Sequence, residues 1–129
     1  MAKPSSIIGA SVGRVEGADK VSDLLTHAAE TETPAYLSVV NWGEVYYFSF
    51  RAGGRLAAER TLKNIDSLPI EIVPADRELT KIAAEFKVSN KMSYADTFAA
   101  ALAKQKNARL VTKDREFKQV EDSIKILWL

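Results

Sequence analysis

Apolar positions along the chain fall into two rhythms, helical spacing and short continuous runs, and these alternate. VSDLLTHAA sets Val21, Leu24, Leu25 and Ala28 at helical spacing, with Asp19 as a cap before them. Pro34 closes that region, and AYLSVV, residues 35–40, reads as a short buried strand. NWGEVYYFSFRAGG is ambiguous: its aromatics favour a strand, while Gly53-Gly54 has the look of a helix stop. LAAERTLKNI places Ala58, Leu62 and Ile65 on one helical face. After Pro69, PIEIV predicts a strand. Asp76 is a cap for the next helix, whose core spacing runs through Leu79, Ile82, Ala83 and Phe86. Ser93 opens another, with Ala95, Phe98, Ala99 and Leu102 as the buried stripe. ARLVT, residues 108–112, and the terminal IKILWL read as two more strands.

Strands alternating with helices predict an α/β layer with a largely parallel sheet. In such sheets ligands gather beyond the carboxyl ends of the strands. Glu44 follows the AYLSVV strand, Asp114 follows ARLVT, and Asp96 lies in the first turn of a helix, so all three are expected at one edge.

Composition narrows the chemistry. The chain has 129 residues, one domain's worth, with 47% hydrophobic and 27% charged residues. Its net charge of +1 gives no global basic field, so any nucleic-acid contact must come from a local patch. There is no cysteine, which excludes thiolate metal sites and disulfides and fits a reducing, cytoplasmic setting. The single histidine, His27, argues against a histidine metal site or a Ser-His-Asp triad and is read as a surface residue. No apolar stretch is long enough for a signal peptide or membrane span.

Each acid has an ordinary reading beside the functional one. Ser93-x-x-Asp96 resembles a capping box, and an acid there favours the helix dipole. Glu44 stands against VYYFSF, the most apolar run, where an acid needs a partner such as Arg51 or Arg55, or an ion. Asp114 in TKDREF is a common turn residue, with Glu116 close enough to join it and Thr112 able to bond a carboxylate. Taken together, three acids from distant parts of the chain are the donor set that a hard divalent ion such as Mg²⁺ selects. Lys87, Lys91, Lys113, Arg115 and Lys118 flank them in sequence, either as a solvated surface or as a local positive patch for a phosphate backbone.

SVVNWGEVYYFSFRAGG, LPIEIVPAD, KMSYADTFAAALAKQKNARLVTKDREFKQVE and IKILWL, in this order, resemble the PIN-domain family, and within it the VapC-type toxins of toxin–antitoxin pairs. The resemblance runs from about residue 17 to the end. It implies a single three-layer α/β domain over residues 1–129, with a mostly parallel sheet flanked by helices. It also implies an endoribonuclease dependent on Mg²⁺ or Mn²⁺, with Glu44, Asp96 and Asp114 as catalytic and metal-holding acids. It makes NWGEVYYFSFRAGG a helix and suggests an RNA substrate, an antitoxin and a second copy of the chain as partners. Some of Trp42, Tyr46, Tyr47, Phe48 and Phe50 are candidates for those interfaces. The family usually begins with a hydrophobic strand ending in Asp, followed by Ser or Thr. Counting back puts that Asp at Pro4, which offers no ligand, and SIIGASVGRV is then a replacement strand or a weak helix. The alternative to an enzyme is therefore a PIN-fold module that binds antitoxin or RNA without cleaving. A receiver-like signalling domain lacks its paired N-terminal acids here.

Overall fold

The computed structural model describes residues 6–9 and 35–129. The expected helix around Val21–Ala28, the Asp19 cap, His27 and Pro4 lie outside those residues. The strands are β1 (Ser6–Ile8), β2 (Ala35–Ser38), β3 (Ile70–Val73), β4 (Arg109–Thr112) and β5 (Lys125–Trp128). The helices are α1 (Val39–Asp66), α2 (Arg77–Ser89) and α3 (Tyr94–Lys106), with a 3₁₀ helix at Arg115–Val120. All pairings are parallel, in the order β3-β2-β1-β4-β5. The order reverses at β1: β2 and β3 lie on one side of it, β4 and β5 on the other. A crevice at the carboxyl ends of the strands next to β1 is the ligand position such a reversal creates.

The three central strands β2, β1 and β4 are buried on both faces, as parallel strands are, while the edge strands β3 and β5 are only partly covered. Ile7 and Leu110 join a core with Leu79, Ala83 and Phe86 of α2 and the buried run Phe98–Ala103 of α3. Ile8, Leu37 and Val111 point the other way and pack with Trp42, Ile70 and Leu127. The alternation along β1 and β4 supplies both clusters from adjacent residues. The alanines of α3 let it lie close to α2, with which it shares the largest helix–helix contact.

Local signals explain the boundaries. Asp76 caps α2, its side chain accepting from Leu79 N at 2.8 Å. Asn107, in the left-handed conformation (φ 49°), ends α3. One expectation is corrected: AYLSVV is a strand only as far as Ser38; Val39 and Val40 already belong to α1, because the Ser38 side chain caps that helix by accepting from Asn41 N at 3.1 Å. The helix stop expected at Gly53-Gly54 is present as a break that divides α1 into two helical segments, with Gly54 non-helical at φ 83°, ψ −178°. The chain turns sharply enough there for the Tyr46 hydroxyl to donate to Glu59 Oε1 at 3.1 Å. On α3, Ala95 is only half-buried, so the stripe begins at Thr97.

Within SIIGASVGRV the described residues are 6–9, and Ser6–Ile8 of these form a strand with Ile8 opposite Val111. Gly9 continues alongside β4, donating its N–H to Val111 O at 3.4 Å. The residue at the carboxyl end of the central strand is therefore Gly9, and Pro4 precedes the strand.

Candidate metal centre

The carboxyl edge of the sheet gathers acids from three elements. Asp96 is the third residue of α3. Ser93 caps that helix, and its Oγ accepts from Asp96 N at 3.1 Å. The cap and the cleft are compatible, since the backbone of Asp96 serves one and its carboxylate the other. Asp114 follows β4 and caps the 3₁₀ helix: its Oδ1 accepts from Glu116 N at 2.9 Å. Its own N–H donates to Thr112 Oγ1 at 3.0 Å, and Thr112 is fully buried, so this turn is tied to the sheet.

Asp96, Asp114 and Glu116 each bring a carboxylate oxygen within 4.8 Å of the others. Asp96 and Asp114 are partly buried, and for Asp96 the burial and the neighbouring like charges disfavour the ionised form. Burial is the largest cause and the neighbouring Asp114 the next; with Glu44 and Glu116 they push Asp96 up to about 7, while a hydrogen bond with Ser93 pulls the other way. Glu44 of α1 acts on Asp96 electrostatically but lies outside the tightest group. It connects to α3 through Asn41, whose Nδ2 donates both to Glu44 Oε1 (3.1 Å) and to Ala95 O (3.0 Å).

Of the acids expected at the edge, Asp96 and Asp114 are brought together, Glu116 joins them, and Glu44 stands beside them on α1. Asn41 was not anticipated. Its signal was the run Ser38-x-x-Asn41-x-x-Glu44, polar residues at helical spacing between apolar ones. Among the flanking cations, Lys87 is engaged with Met92 O, while Arg115 lies over the Trp128 ring at 5.1 Å.

The donor set suits a hard divalent cation. Every candidate ligand is a carboxylate oxygen, and the charge repulsion at Asp96 is what a cation would relieve.

The PIN domain family model matches residues 5–123, and the chain belongs to that family. The fold is similar to that of VapBC2 from Rickettsia felis bound to a DNA fragment from its promoter, at TM-score 0.76 and 18% identity, covering 95% of this chain and 97% of that one. VapBC-5 of Mycobacterium tuberculosis, from the VapBC toxin–antitoxin family, gives 0.70 and 17%, covering 98% and 100%. VapC20 of the same organism, a sarcin-ricin loop cleaving toxin, gives 0.63 and 18%, covering 81% and 86%. No curated protein matches the sequence.

Proposed function

We propose that the chain is a VapC-type endoribonuclease that hydrolyses RNA phosphodiester bonds at a carboxylate-held divalent cation, Mg²⁺ or Mn²⁺. The observation that carries this is the convergence of Asp96, Asp114 and Glu116 at the carboxyl edge of the sheet. Asp96, Asp114 and Glu116 would hold the ion, with Glu44 of α1 a further ligand, direct or through water. A bound ion would supply stabilisation of the charge developing on the phosphate and activation of water.

The chain's own residues do the positioning. Ser93 fixes the start of α3 and so the place of Asp96; Thr112 fixes the turn that carries Asp114. Arg115 and Lys118 are exposed on the 3₁₀ helix that also carries Glu116, and would give an RNA backbone positive charge on that element. The similarity to a toxin that cleaves the sarcin-ricin loop supports RNA as the substrate class. Similarity to toxin–antitoxin complexes supports an antitoxin partner. Exposed Tyr47 and Phe50 on α1 suit an interface with that partner or with a second copy. Among the described residues no helix is long and apolar enough to cross a membrane.

One observation favours a second reading, a PIN-fold module that binds antitoxin or RNA without cutting. Gly9 occupies the end of the central strand, where the family pattern carries an acid, and glycine brings no ligand. RNA cleavage with and without Mg²⁺, using Asp96→Asn as control, separates the two. Mg²⁺-dependent cleavage lost in Asp96→Asn supports the nuclease; RNA binding with no cleavage at any Mg²⁺ concentration rejects it in favour of the module.

A further inference from the structure

Behind the carboxylates, one buried side chain joins α1 to α3. Asn41 is fully buried, and each polar group of its side chain is used. Its Oδ1 accepts from Ser38 Oγ at 2.7 Å; its Nδ2 donates to Glu44 Oε1 at 3.1 Å and to Ala95 O at 3.0 Å. Ser38 Oγ in turn accepts from Asn41 N at 3.1 Å. A carboxylate and a carbonyl only accept, so the amide has one workable orientation. Turned over, it would set Oδ1 against two acceptors and leave the Nδ2 hydrogens facing Ser38. A buried network in which every member is satisfied is rigid, and breaking one member is costly.

We infer that Asn41 is a positioning residue for the carboxylate group, holding the Glu44 side chain in fixed register with the first turn of α3. Ala95, which receives its second hydrogen bond, immediately precedes Asp96. One amide therefore sets the separation between an acid on α1 and an acid on α3. If the only task were to pack these helices, an apolar side chain would serve without burying an amide. The donation to a cleft-facing carboxylate is what an apolar residue cannot replace. Groups that orient metal ligands from behind typically change affinity by about 10- to 100-fold when removed. The inference rests on the reading of these carboxylates as a cation site.

The test is Mn²⁺ binding by calorimetry for the wild type, Asn41→Ala, Glu44→Gln and the double variant, with melting measured in chelator. If Asn41 acts through Glu44, Asn41→Ala weakens Mn²⁺ binding by about 10-fold or more alone, and by less than about 3-fold in the Glu44→Gln background, since coupled residues are not additive. An equal loss in both backgrounds makes Asn41 a packing residue only and overturns the inference, as does an unchanged affinity. A second measurement needs neither metal nor a folded variant at position 41. In the metal-free wild type, NMR should show the Asn41 side-chain amide as two separate, slowly exchanging protons, one of which shifts in Glu44→Gln. Rapidly exchanging protons, or no shift, overturn the inference whatever the metal does. A wild type that binds no Mn²⁺ while keeping this amide signature instead sinks the cation reading and leaves the Asn41 contact standing.

Discussion

Removing the charge of Asp96 should stabilise the metal-free protein. Asp96 is pushed from its ordinary 3.8 up to about 7, chiefly by burial and then by Asp114. A raised carboxyl pKa means the native state holds this proton where the unfolded state has lost it. Stability from this group therefore falls as pH rises from about 4 and is at its lowest above about 7. The full shift corresponds to about 4 kcal/mol. Asp96 is only partly buried and water screens its neighbours, so we expect about 1–2 kcal/mol. Asp96→Asn keeps the shape and removes the titration. In urea denaturation with chelator, the variant should match the wild type near pH 4 and exceed it by about 1–2 kcal/mol at pH 8. Saturating Mg²⁺ should reverse the order, because only the wild type gains ligand stabilisation. A variant no more stable than the wild type at pH 8, or a difference that does not change with pH, would refute the electrostatic reasoning.

Gly9→Asp places a carboxylate just after the central strand and should tighten Mn²⁺ binding by about 10-fold or more and raise RNA cleavage, if a missing acid limits this site; unchanged calorimetry would show that position 9 is not facing it. Ser93→Ala removes the cap of α3 and should cost about 1 kcal/mol in chemical denaturation. Gly54→Ala forces a Cβ into a glycine-only backbone conformation and should cost about 1–3 kcal/mol, read as a lower melting temperature. Gly53→Ala would bring a Cβ to 2.8 Å from the Ala57 Cβ and should also destabilise the turn.

What was legible in the sequence was whatever local chemistry decides. Asp76 and Ser93 announce their helices, and PIEIV and ARLVT their strands, because caps and short apolar runs act over a few residues. The start of α1 was misread because Val39 and Val40 favour strands intrinsically, while the capping bond of Ser38 starts a helix under them. The aromatics of NWGEVYYFSF give the same strand signal, yet the segment continues the helix that Ser38 caps. Asp96 and Asp114 were legible as edge acids because each sits at the start of an element that meets the sheet edge. Glu116 was a weaker candidate, since only the tight 3₁₀ turn brings it back toward Asp114. Counting along the chain puts the family's first acid at Pro4, outside the described residues, whereas β1 ends at Ile8 and Gly9 follows it, hydrogen-bonded to Val111 of β4.

The most direct test is a crystal of the wild-type protein soaked in Mn²⁺ and measured by anomalous scattering. The account expects a peak among the carboxylates of Asp96, Asp114 and Glu116, on the Glu44 side of α3. A peak elsewhere, or none at a concentration that supports RNA cleavage, would contradict it.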